Sequence, residues 1–266
     1  MNLALALADI GQTDTALLLL SRAQRLAPSD PEIWFALGNL HLEAARYSDS
    51  LVSYQRAIQL NPKTARYHFN LGHVFKAMGR YHEAHTTFGI AVTLDADFYK
   101  ARFMFAHMAM LLGEIEQAIA EYERTLESHP KYKKAHYNLG NCYLKQGDWQ
   151  SAYQCYARAL EIDPTYARGH HSMGQVHLAL GDVSLAAESF ARALVLDREL
   201  LECRLQLAKC HEVLGDIPSA SYEYYVLYAS GDRSFRNEAK DCLDRLGWSH
   251  IKEIHGTETR TGPSGE

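Results

Sequence analysis

The side chains best equipped for chemistry are fourteen histidines and five cysteines in a chain of 266 residues. Imidazole ligates zinc and moves protons near neutral pH. His82 and His85 stand three residues apart, and His170, His171 and His177 cluster. A zinc protease helix would carry H-E-x-x-H, and that motif is missing. Cys142, Cys155, Cys203, Cys210 and Cys242 include no C-x-x-C pair, and their number is odd. Neither a disulfide framework nor a zinc site on paired cysteines fits that pattern. A reducing, cytoplasmic setting is the simpler expectation. Cys203 and Cys210 read as buried thiols in small-residue slots. G-x-S-x-G, phosphate-loop and dinucleotide motifs are also absent. The sequence therefore predicts no catalytic residue, no metal and no cofactor, and the expectation is that the chain is not an enzyme.

Bulk chemistry narrows the partners. Hydrophobic residues make up 47%, enough for a sizeable core. Twenty-seven Lys and Arg face thirty-two Asp and Glu, a formal charge of -5. An acidic chain is a poor general binder of nucleic acid or anionic membrane. No stretch approaches the roughly twenty apolar residues that a spanning helix needs. The apolar opening from Met1 to Ala8 lacks a basic region and is interrupted by Asp9, so no signal peptide is expected.

The elements that must position these side chains repeat with a step of 34. One row of small residues reads Ala16, Ser50, Ala84, Ala118, Ala152, Ala186, Ala220. Twelve places earlier stand Ala4, Gly38, Gly72, Ala106, Gly140, Gly174, Ala208. Small residues let two helices approach where they cross. A third row is Gly11, Ala45, Gly79, Gly113, Gly147, Gly181, Gly215. Glycine there takes positive φ and ends the first helix of a pair. Asp148, Asp182 and Asp216 follow it as N-caps for the second helix, and Pro218 suits that helix's first turn. A fourth row, Leu20, Tyr54, Phe88, Tyr122, Tyr156, Phe190, Tyr224, is expected to fill space between neighbouring hairpins. Pro28, Pro62, Pro130 and Pro164 stop the second helices. His136, Leu139, Gly140 and Tyr143, then Trp149, Ala152, Tyr153 and Tyr156, follow helical rather than strand spacing.

This pattern resembles the tetratricopeptide repeat, a pair of antiparallel helices in thirty-four residues. Residues 31–64 match it with Trp34, Leu37, Gly38, Tyr54, Ala57 and Pro62. The expected fold is an all-α, right-handed solenoid. Units run 31–64, 65–98, 99–132, 133–166, 167–200 and 201–234, after an incomplete one at 1–30. A capping helix over 235–248, with Phe235, Ala239, Cys242, Leu243 and Leu246 as its apolar stripe, would close the array, and 249–266 reads as a disordered tail. The N-terminal edge has no such cap and is expected to stay partly exposed.

The resemblance implies a binding groove on the first helices, at the second, fifth, ninth and twelfth positions of each unit. The second row offers Arg66, Lys100, Lys134 and Arg168, four cations in a line. Beside it stand Phe35, Phe69, Phe103, Tyr137 and His171 at position five. Position nine adds Asn39, His73, His107, Asn141 and Gln175, and Asn70 lies at position six. Cations beside aromatics suit an extended acidic peptide, and amides and imidazoles can hydrogen-bond its backbone. Of the five residues with which chaperone-binding members grip a carboxylate, Asn39, Asn70 and Lys100 match, while Phe35 and Met104 replace cations. His68, His136 and His170 occupy the repeat's Trp position, a packing slot. The family implies a non-catalytic adaptor for a protein or peptide partner, without nucleic acid or membrane insertion. The alternative is an assembly subunit that self-associates through the N-terminal edge or docks through its ends and convex face.

Overall fold

The computed structural model describes residues 2–247. Among them are fifteen helices and no strand. First and second helices of the hairpins alternate. They are α1 (Asn2–Asp9) and α2 (Thr13–Leu26), α3 (Pro31–Glu43) and α4 (Tyr47–Leu60), α5 (Ala65–Ala77) and α6 (Tyr81–Leu94), α7 (Tyr99–Leu112) and α8 (Ile115–Ser128), α9 (Lys133–Gln146) and α10 (Trp149–Ile162), α11 (Ala167–Leu180) and α12 (Val183–Leu196), and α13 (Leu201–Val213) and α14 (Ile217–Ser230). α15 (Arg233–Arg245) follows alone. The fold is an all-α solenoid of consecutively packed hairpins. The described residues form two compact units, divided between Cys142 and Tyr143.

The turn within each hairpin needs a left-handed residue. Gly11, Gly79, Gly113, Gly147, Gly181 and Gly215 supply it at φ between +73° and +87°. No atom would lie within 4 Å of a Cβ at any of them, so the demand is conformational alone. Ala45 fills the same slot at φ +56°, the one non-glycine with positive φ among the described residues. Asp148 and Asp216 cap their helices, accepting from the Ser151 and Ser219 amides. Asp182 makes no side-chain cap bond, contrary to the sequence expectation.

The aromatic row packs between neighbouring hairpins, as Leu20 against α3, Phe190 against α13 and Tyr224 against α15 show. Three of its rings also lie on a glycine of their own hairpin. A Cβ on Gly38, Gly72 or Gly174 would sit 2.5–2.6 Å from the ring of Tyr54, Phe88 or Phe190. The small row exists because the rings lie directly on it. Ser50, standing where the other units have alanine, donates to the Gly38 carbonyl at 2.7 Å. All seven side chains of the row are fully buried.

Position four joins one unit to the next. Trp34 Nε1 donates to the Pro28 carbonyl at 2.8 Å. His68, His136 and His170 place Nε2 2.9–3.0 Å from the carbonyls of Pro62, Pro130 and Pro164. A carbonyl only accepts, so each ring holds its proton on Nε2. Arg102 donates to the Ala96 carbonyl at 2.9 Å and to the buried Glu121. The slot is therefore a donor slot as well as a packing slot. Arg204 in the last unit pairs with Glu223 instead.

α15 begins at Arg233, two residues before the expected start, because Asp232 accepts from the Ser234 amide. Ala239 and Leu243 are buried on Leu205, Ala208, Tyr224 and Leu227. Gly247, at φ +74°, ends it. Trp248 and the expected tail at 249–266 lie outside the described residues. At the other end Ala4 is buried with Ala16, Leu17 and Leu20, while Leu3, Ile10 and Leu18 are about two-thirds exposed. Among the described residues no helix is long and apolar enough to cross a membrane.

Candidate partner-binding face

The expected row of four cations is interrupted in the first unit. Arg66 is paired with Glu32, the residue at the same position one repeat earlier. Its guanidinium lies 5.1 Å from the centroid of Phe35 and 5.5 Å from that of Tyr67. Tyr67 also donates to Glu32. Arg66 is thus neutralised by its neighbour. Lys100 and Lys134 are exposed and carry no ion pair among the described residues.

The fifth position packs more than it presents. Phe35 lies 5.7 Å from Tyr54 and 5.0 Å from Tyr67. Phe69 is held among His73, Phe88 and Phe98 at 4.6–5.7 Å. Phe103 retains 8% exposure beneath Tyr122 and Tyr132, so it is a core residue and not a groove contact. Tyr137 is half-buried.

The ninth position carries the polar chemistry. Asn39 Oδ1 accepts from Tyr54 Oη at 2.6 Å and from Asn70 Nδ2 at 3.0 Å. The two asparagines that match the carboxylate-gripping pattern therefore hold each other across adjacent repeats. His73 and His107 both feel the Lys76 cation. Burial first, and that charge second, disfavour their imidazolium forms. The His73 imidazole is lowered to about 4, and His107 shifts the same way. Both are neutral hydrogen-bonding groups at pH 7. Asn141 is half-buried on the same row. Lys76 is half-buried and has no ion pair among the described residues. It stands at the twelfth position of its unit, a family groove position, and that position is the signal that marks it.

In the second unit Arg168 is exposed and Gln175 half-buried. His171 lies 5.6 Å from Phe190, and its buried Nε2 has no hydrogen-bond partner. Burial lowers its pKa against the opposing pull of Glu202.

His85 and His177 pack against aromatic rings. His85 stacks on Phe105 at 4.4 Å, with Nε2 3.9 Å from Glu114. His177 meets Tyr153 edge-on at 5.7 Å. Among the described residues no group of three or more His, Cys, Asp or Glu could hold a metal ion. No disulfide joins any of the five cysteines.

The geometry defines a helical-hairpin repeat protein with a polar first-helix face. Models described as "Tetratricopeptide repeat" match residues 1–40, 65–98 and 134–166, and one described as "TPR repeat" matches 46–79 and 106–147. The chain belongs to the tetratricopeptide repeat family. Among solved structures it is similar to the C-terminal part of a TPR repeat-containing protein from Cytophaga hutchinsonii. That match has 16% identity and a TM-score of 0.71, covering 89% of this chain and 98% of the other. PilF of Pseudomonas aeruginosa follows at 15% identity and TM-score 0.69, covering 79% and 96%. YrrB, described as a TPR protein with an unusual peptide-binding site, has 19% identity and TM-score 0.60, covering 69% and 95%. Identities this low speak for the fold alone. No curated protein sequence matches the chain.

Proposed function

We propose that the protein is a non-catalytic adaptor whose first-helix face, over residues 31–142, binds an extended acidic segment of a partner protein. One observation carries this reading. Lys76, Lys100 and Lys134 have no ion pair among the described residues, although acidic side chains outnumber basic ones in the chain. Lys76 shares α5 with Asn70 and His73, and Lys100 shares α7 with His107, neutral groups suited to a peptide backbone; Lys134 lies on the next first helix, α9. Peptide binding is also the property named for YrrB. Cysteines without disulfides fit a cytoplasmic setting. The test is a pull-down comparing wild type with Lys76, Lys100 and Lys134 all changed to Glu, with circular dichroism as the folding control. Partners that vanish from the variant, and from wild type as salt rises, support the reading. Partners that stay bound in both conditions refute it.

A second reading rests on Leu3, Ile10, Leu18 and Leu26, 66–79% exposed on the first hairpin. Exposed leucines in one region favour self-association there. Sedimentation across protein concentrations checks this: a species that stays monomeric sinks it.

A further inference from the structure

A cleft of about 410 Å³ opens at the junction of α7 and the loop between α8 and α9. Its lining is Tyr99, Ser128, His129, Pro130, Lys131 and Tyr132. Three rings build it. Tyr99 and His129 stack with centroids 3.8 Å apart, and Tyr132 meets Tyr99 edge-on at 5.4 Å. Tyr132 also packs on Phe103 at 5.0 Å, which anchors the wall to the core. The rim is basic. Lys131 lines the cleft, and Lys100 places Nζ 6.0 Å from the Tyr99 centroid. Neither has an ion pair among the described residues, and no carboxylate lines the cleft.

Stacked and edge-on rings can recognise either a cation or another flat apolar group. Two uncompensated lysines make a cationic guest unfavourable by like-charge repulsion. The same lysines favour carboxylates beside an uncharged guest. We propose that this cleft is an anchor site for one aromatic side chain of a partner peptide, with acidic residues flanking it. The rings take the aromatic group, and Lys100 and Lys131 take the flanking carboxylates. Of these residues only Lys100 belongs to the rows along the first-helix face, so the inference goes beyond the groove reading.

The probe is a fluorescein-labelled peptide with one tryptophan between runs of glutamate. Its controls carry alanine for the tryptophan, or lysine for the glutamates. Binding is read by anisotropy at low ionic strength. The tryptophan peptide is expected to bind about tenfold tighter than the alanine peptide, in line with buried aromatic anchors elsewhere. Tyr99→Ala should abolish that preference. Lys100→Glu with Lys131→Glu, both exposed and not expected to disturb folding, should weaken the glutamate peptide about tenfold and favour the lysine peptide. Circular dichroism confirms that each variant is folded. Equal affinity for the tryptophan and alanine peptides, no binding at all, or a preference that survives Tyr99→Ala overturns the cleft. Binding that survives the cleft variants but fails with Lys76→Glu and Lys134→Glu also overturns it, while leaving the groove reading in place.

Discussion

Ala45 offers a sharp test of how the hairpins turn. Among the described residues it alone holds a left-handed conformation without being glycine, at φ +56°. An L-residue in that region carries a penalty of about 1–2 kcal/mol from its Cβ. Glycine removes the penalty but restores freedom to the unfolded chain, which costs about 0.4–1 kcal/mol. Ala45→Gly should therefore stabilise by about 0.5–1 kcal/mol. The side chain is exposed, so no packing is lost. Gly79→Ala should destabilise by about the same amount, since its φ is +73° and nothing crowds a Cβ there. Denaturant midpoints followed by circular dichroism read both changes. The paired variant should return close to wild type, because the turns lie one repeat apart. The two substitutions must have opposite signs. If Ala45→Gly lowers the midpoint, backbone strain is not what this slot selects against, and the account of the glycine row fails.

Three further outcomes follow from the packing. Gly72→Ala should cost about 1–3 kcal/mol, because its Cβ would meet the Phe88 ring at 2.6 Å; an unchanged urea midpoint would contradict that. His170→Phe keeps a ring but loses the bond to the Pro164 carbonyl, and should cost about 1 kcal/mol, whereas His170→Trp, which restores an N–H donor, should cost less; equal costs would show that the slot wants only bulk. His73 has a folded pKa of about 4, below its unfolded value of 6.5, so its contribution is complete above pH 6.5 and is lost as pH falls towards 4. That loss is at most about 3 kcal/mol, and in His73→Asn the fall in stability over that window should be shallower, as chemical denaturation at stepped pH would show.

Much of the fold was legible because the 34-residue step never slips. Helix positions, the turn glycines and the capping helix all follow from that register. What the rows did not disclose was which element each residue faces. Gly38 and Tyr54, Gly72 and Phe88, and Gly174 and Phe190 each stand sixteen apart, and that pairing is the mark of a ring lying on a glycine in its own hairpin. Position four reads Trp, His, Arg, His, His, Arg, and read by size alone it is a packing slot. Every member carries a side-chain N–H, which points to a hydrogen bond. The acceptor is a backbone carbonyl six residues upstream, and no side-chain pattern reports it.

The candidate face was less legible for a related reason. In a stacked array, the same position in successive units forms a row of near neighbours. Glu32 and Arg66 are opposite charges at one position in adjacent units, and they pair. Asn39 and Asn70, thirty-one apart, likewise satisfy each other. Counting cations along a row therefore overstates what is left for a partner. The quantity that bears on binding is the charge remaining after neighbouring repeats have paired. By that measure Arg66 drops out, while Lys76, Lys100, Lys131 and Lys134 remain in the first compact unit and Arg168 in the second. Two of these flank Tyr132 in the run Lys131–Lys134, while Lys100 reaches the same junction through Tyr99. Lys100, Lys131 and Lys134 thus lie near one meeting of two repeats, and under the proposed reading a partner that pairs with them contacts a junction as well as a helix face.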